Sequence, residues 1–139
     1  MSRFSLIFNV FFSNQIKLWK PGIKANKFIS DAPIVHYSNA FYVFGGYVYY
    51  DESKTIGRLD ASTLTWTKAG ELNYARKGHG AIYNRERIIV AGGSGEKKTE
   101  SCSVEEDGVV NCTVQAPTLY KYALYPEMYL VDDAFCKDI

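Results

Sequence analysis

The sequence predicts an all-β chain, on three observations. Apolar runs are short and bounded by turn-forming residues, and no long helical periodicity runs through them. Aromatic residues reach 15%, with eleven Tyr and eight Phe, large flat side chains that pack well on a pleated surface. An apolar stretch running into paired glycines also occurs twice. Phe41-Tyr42-Val43-Phe44-Gly45-Gly46 returns as Ile88-Ile89-Val90-Ala91-Gly92-Gly93, with Gly45 and Gly92 47 positions apart. A recurrence of about 50 residues that combines strands with paired glycines marks a β-propeller blade, a four-stranded antiparallel meander repeated about an axis.

The elements follow in order. Residues 34–37 read as a first strand, Ser38-Asn39 as a turn, and 40–44 as a second strand ending at Gly45-Gly46. A loop rich in Tyr and charge spans 47–55. Residues 56–59 make a third strand and Asp60-Ala61-Ser62-Thr63 its turn, after which 64–68 form a fourth strand carrying Trp66. The connector 70–78 opens the next cycle: 81–83, a turn at Asn84-Arg85, 87–91, Gly92-Gly93, 99–104, the Glu106-Asp107-Gly108 turn, and 109–114.

Over residues 33–115 these features resemble the kelch repeat family. The first motif carries an apolar strand, Gly45-Gly46, the Asp60 turn, Trp66 and the linker Arg76-Lys77-Gly78-His79-Gly80. The second departs from the pattern, with Cys112 where the tryptophan is expected. The expected organisation is an uncertain N-terminal segment 1–30, kelch blades at 31–77 and 78–118, and the start of a third at 119–139. Propellers close with about four to eight blades, so the chain reads as an incomplete propeller, a piece of a larger protein. Open blade edges would favour self-association.

Scaffold roles are assigned first. Gly45, Gly46, Gly92 and Gly93 suit strand ends where φ turns positive and a neighbouring blade leaves no room for a side chain. No helix start or Lys-Ser/Thr follows them, which argues against a phosphate cradle. Trp66 offers an apolar face to fill a wedge between blades.

Cys102 and Cys112 each lie five residues from Asp107, so they oppose each other across a hairpin. Opposed Cβ atoms about 4.5–5.5 Å apart are within reach of a disulfide. Cys136 is left over, and the spacing lacks the second Cys/His pair of a zinc site. Asn111-Cys112-Thr113 is an N-glycosylation triplet, and alternation puts Asn111 on the face opposite Cys112. Bond and triplet together point to an oxidising compartment, extracellular or cell-surface, with the cytoplasm as the rival.

Several function classes are argued against. Lys plus Arg is 16 and Asp plus Glu 15, with no basic stripe for nucleic acid. No apolar run approaches the ~18 residues of a transmembrane helix. Residues 4–12 are signal-like, but no small-residue cleavage site follows them. His36 and His79 lie nine and thirteen residues before their diglycines, at non-equivalent positions. No nucleophilic triad can be assembled, so the chain reads as non-enzymatic, without metal or cofactor. An oxidase-type propeller enzyme with its active residues elsewhere is the alternative. Strand parity puts the loop after the second strand and the connector after the fourth on one face. The candidate binding residues there are Tyr47, Tyr49, Tyr50, Asp51, Tyr74, Arg76 and Lys77, because Tyr and Arg give large contact area with a polar tip; the rival reading is a solvated loop with incidental tyrosines, in which Arg76 is a blade-linking hydrogen-bond donor. The resemblance implies that such a face takes up a protein or peptide partner.

Overall fold

The computed structural model describes residues 10–13, 18–21, 29–94 and 98–115. The described residues contain strands and turns and no helix, as the sequence predicts. Strands β1 (Val10–Ser13) and β2 (Leu18–Pro21) form an antiparallel pair. They fall in the segment left uncertain above; the rest of the signal-like stretch, the expected third blade and Cys136 lie outside the described residues. After the short β3 (Ile29–Ser30) come β4 (Ile34–Tyr37), β5 (Ala40–Phe44), β6 (Tyr47–Val48), β7 (Asp51–Glu52), β8 (Thr55–Asp60) and β9 (Trp66–Glu71). The chain continues through β10 (His79–Tyr83), β11 (Ile88–Gly92), β12 (Glu100–Val104) and β13 (Val110–Val114).

Strands β4-β5-β8-β9 make one antiparallel meander and β10-β11-β12-β13 a second. A single parallel pair, Val110 with Gly70, joins β13 to β9. At the other edge β4 lies beside β10, and Tyr37 packs edge-on against Tyr83 at 5.0 Å. The two meanders thus close on each other at both edges into a nearly closed, barrel-like unit. Its interior is set by alternation: the side chains of Tyr42 and Phe44 share one face of β5 and meet Ile56, Leu72, Ile88, Val90, Cys102 and Val110 in one buried cluster.

Several element boundaries differ from expectation: β10 starts at His79, within the linker read above, instead of at Ala81, and the fourth strand of the first meander shifts most. Leu64 was assigned to a strand but closes a turn at φ 57°, its amide bonded to the Asp60 carbonyl at 2.8 Å. The Asp60 carboxylate also accepts the amides of Ser62 at 2.9 Å and Thr63 at 3.0 Å. Those amides, together with Arg58, hold its pKa below the usual carboxylate value. Such Asx capping overrides the strand preference of one leucine. Strand β9 therefore starts at Trp66 and runs on to Glu71 through an irregularity: Gly57 pairs with Lys68 and Ile56 with Gly70, leaving Ala69 as the extra residue. The loop at 47–55 holds its own hairpin, β6-β7, to which β3 adds.

The two meanders repeat by rotation. Counted from the diglycines, Phe41 corresponds to Ile88. In the first meander Phe41 pairs with Leu59 and Leu59 with Trp66. In the second, Ile88 pairs with Cys102 and Cys102 with Cys112. Cys102 and Cys112 thus hold the register positions of Leu59 and Trp66. In the second meander this row faces the first, with Ile88 and Cys102 fully buried; in the first it faces away from the second. Trp66 accordingly stacks over Gly57, 3.5 Å from where a Cβ would sit, instead of filling the wedge between these two units. That wedge holds the cysteine pair, its sulfurs at bonding distance, 2.11 Å, and its Cα atoms 4.0 Å apart.

Candidate functional loop face

The loops after β5, β9 and β11 emerge at one end of the meanders, and backbone hydrogen bonds lock them together. The Gly46 amide donates to the Arg76 carbonyl at 2.9 Å, the Arg76 amide to Ser53 at 3.2 Å, and the Ser94 amide to Lys77 at 3.0 Å. Both diglycines serve this crossing. Gly45 and Gly46 have φ of 57° and 95°, Gly92 and Gly93 of 76° and 100°. A Cβ on Gly46 would fall 2.6 Å from the Ala32 Cβ and 2.7 Å from the Ser30 carbonyl. Only glycine meets both demands.

Arg76 does not lie on this surface. Its side chain is fully buried between the meanders and paired with the equally buried Glu100 at 2.9 Å. Nη1 donates to the carbonyls of Gly92 and Lys98, each at 3.0 Å. Glu100 also accepts the Asn73 amide at 2.7 Å, the Asn73 side chain at 2.9 Å and the Tyr74 amide at 3.2 Å. Such pairing offsets much of the cost of burying the two charges, while Arg76 Nε is left without a hydrogen-bond partner. Arg76 therefore bolts the connector to the second meander and cannot meet a partner. Glu100 and Asn73 escaped the sequence reading: nothing marks a Glu at a strand start as interior.

His79 lies beside this pair, 5% exposed. Neither ring nitrogen has a hydrogen-bond partner; the Phe44 carbonyl pulls its pKa up without reaching hydrogen-bond geometry. Burial chiefly, with the Arg76 charge, outweighs that pull and lowers the pKa from 6.5 to about 3. The imidazole is thus neutral at pH 7. The unfolded chain binds the proton more tightly, so this contribution to stability is whole above pH 6.5 and is lost as pH falls toward 3. Acid titration followed by denaturant melts should show a loss on the order of 4 kcal/mol over that window. A His79→Phe chain should lack this part of the acid limb; an unchanged profile would contradict the assignment.

The remaining candidates do gather at this end. Lys77 Nζ stands 4.1 Å above the Tyr47 ring. Lys98 Nζ lies 4.7 Å from the Tyr74 ring centre and donates to the Tyr74 hydroxyl at 2.6 Å. Asp51 is exposed, its carboxylate accepting the Glu52 amide at 2.8 Å. Between β6 and β7 the turn consists of two residues, Tyr49 and Tyr50, with φ of 48° and 73°. A two-residue hairpin with both φ positive normally takes Asn-Gly; a tyrosine there costs about 1–2 kcal/mol. These two strained residues are also 66% and 92% exposed.

At the opposite end, a groove of about 230 Å³ runs between the turn after β4 and the turn after β12. Tyr37, Asn39, Tyr42, Arg58, Glu105 and Glu106 line it. Arg58 Nε donates to the Tyr42 hydroxyl at 3.3 Å, and Nη2 pairs with Asp60 at 3.0 Å. Asn111 is exposed on the face away from Cys112, as alternation predicts, and donates to Glu105 at 3.3 Å.

Among the described residues no three His, Cys, Asp or Glu side chains are grouped to hold a metal. No described helix is long and apolar enough to cross a membrane. No protein-family model matches the chain, and no curated protein matches it.

Proposed function

We propose that this chain is a non-enzymatic protein-binding module of the kelch type, whose loop face engages a protein or peptide. The observation that carries the reading is the Tyr49–Tyr50 turn. Two large side chains are held in a backbone conformation that they disfavour and are turned out to solvent. Strain of this kind persists where the surrounding fold enforces it and a site uses it, and tyrosine is the residue type that interfaces favour. Tyr47, Tyr74, Asp51 and Lys77 surround the same loops and add contact area with polar tips.

The direct test places a photo-crosslinking benzoylphenylalanine at position 50. A discrete adduct on intact cells, competed by unlabelled chain but not by the Tyr49→Asn, Tyr50→Gly chain, is the expected result. Adducts that both competitors suppress equally would sink the proposal.

The compartment belongs to the same proposal: extracellular or cell-surface, with a Cys102–Cys112 bond and a glycan on Asn111. The paired sulfurs and the exposed Asn111 support it. Alkylation of native material under denaturing, non-reducing conditions should leave both cysteines unmodified. Free thiols there would move the chain to the cytoplasmic adaptor alternative.

A further inference from the structure

We infer that Tyr50, with Tyr49 beside it as a second acceptor, is sulfated: the turn is the substrate of a tyrosine sulfotransferase that draws on a nucleotide-activated sulfate. The inference rests on the oxidising, secretory compartment proposed above and adds a covalent modification to the loop face.

The tyrosines differ in what they offer such an enzyme. Of the seven described, five are committed to the fold or to a neighbour. Tyr42 is buried, and its hydroxyl accepts from Arg58. Tyr74 takes the Lys98 ammonium, and Tyr47 lies under that of Lys77. Tyr83 donates to the Arg85 carbonyl at 2.7 Å and packs against Tyr37. Tyr49 and Tyr50 remain, 66% and 92% exposed, and among the described residues neither hydroxyl has a hydrogen-bond partner. A phenol has to leave the protein surface to enter a transferase cleft, and these two already do.

Local charge favours the same enzyme. Asp51 and Glu52 follow the pair directly, and their bonds to an amide and to the Ser94 hydroxyl leave both carboxylate charges in place. Lys54, the next cation along the chain, is balanced by Glu71 at 2.8 Å. A cleft that holds a polyanionic sulfate donor must be basic, so acidic flanks steer this turn into it. The turn can also adapt to the cleft. Strands β6 and β7 have two residues each, and so short a hairpin opens at little cost. Opening releases the strain of two positive φ angles, while the Ser53 amide, bonded to the Gly46 carbonyl at 2.8 Å, holds the base.

In the transfer, the Tyr50 phenol oxygen attacks the donor's sulfur and forms the new O–S bond as its proton passes to a base of the transferase. The bond from sulfur to the donor's phosphate oxygen breaks, and its electron pair leaves with the nucleotide. Nothing is oxidised or reduced. The product is an aryl sulfate, a fixed negative charge on the loop face.

Cells that make the chain, fed radioactive sulfate, supply the test. The full chain is isolated and hydrolysed in alkali, which leaves tyrosine sulfate intact and separates it from any sulfate on an Asn111 glycan. Labelled tyrosine sulfate is the expected product. Tyr50→Phe should remove most of it, and Tyr49→Phe with Tyr50→Phe all of it, at an unchanged melting temperature because neither hydroxyl is bonded. Asp51→Asn with Glu52→Gln should lower the label about tenfold. An unlabelled chain whose cysteines resist alkylation overturns the inference and leaves the compartment standing; an unlabelled chain with free thiols sinks both. Label that survives the double phenylalanine change overturns it too. So does an ester that a phosphatase removes, which would make the group a phosphate added in the cytoplasm.

Discussion

Replacing Arg76 by leucine is expected to be the most damaging single substitution in the described part of the chain. It would strand the Glu100 carboxylate, fully buried, with only the Asn73 and Tyr74 donors. It would also leave the carbonyls of Gly92 and Lys98 without the Nη1 donor. Removing one partner of a buried ion pair costs about 3–5 kcal/mol, a large part of the ~5–15 kcal/mol that holds a domain together. Lysine should not rescue it, because one ammonium on a flexible stem cannot reproduce the fork that reaches three oxygens. The paired change Arg76→Leu with Glu100→Leu should cost less than Arg76→Leu alone, since no uncompensated charge remains in the interior. Denaturant unfolding of the four chains at pH 7 closes the double-mutant cycle. A single-variant loss under about 1 kcal/mol would show that the pair is not buried as described.

Gly46→Ala is the second large effect. The new methyl would stand 2.6 Å from the Ala32 Cβ and 2.7 Å from the Ser30 carbonyl, at a φ of 95° that an L side chain rarely adopts. Backbone cannot yield as a flexible side chain does, so clash and strain combine into a loss of about 3 kcal/mol or more. Gly57→Ala is the internal control. Its φ is not positive and its nearest neighbour, the Trp66 ring, lies at an ordinary 3.5 Å. That change should lie within about 0.5 kcal/mol of wild type or stabilise it slightly. Comparable losses at the two positions would refute the assignment of the diglycines to backbone crossings.

The contrast between these two glycines also shows what was readable in the sequence. Gly45-Gly46 stood out because a doubled glycine ending an apolar strand reports a local backbone demand, and local demands leave local signatures. The cysteine pairing was readable for the same reason, since equal spacing about a turn sets the register. Side-chain parity was readable too: Asn111 and Cys112 do lie on opposite faces. Which face of one meander meets which face of the other was not, because alternation separates two faces without naming their neighbours. Trp66 was read as filling a wedge between adjacent blades, and the wedge between these two meanders holds the pair Cys102 and Cys112 instead. For Arg76 the sequence offered both a surface role and a blade-linking one, and could not choose because its partner, Glu100, is 24 residues away and looks like any strand-edge acid. The β6-β7 hairpin stayed hidden because Tyr-Tyr is not a turn sequence; the same anomaly makes that loop the strongest candidate for use.

The two sulfurs of the bridge do not stand in equal surroundings. Cys112 is partly exposed, whereas Cys102 has no exposed surface and sits against Ile88 and Val90. Attack on the Cys102 sulfur is shut out by burial, so exchange has to go through Cys112, and the electron pair must then leave on the inner sulfur, where an apolar setting disfavours the anion. Exchange is thus slowed by its leaving group as well as by access. The cross-link should outlast brief encounters with small reductants and yield once the two halves separate.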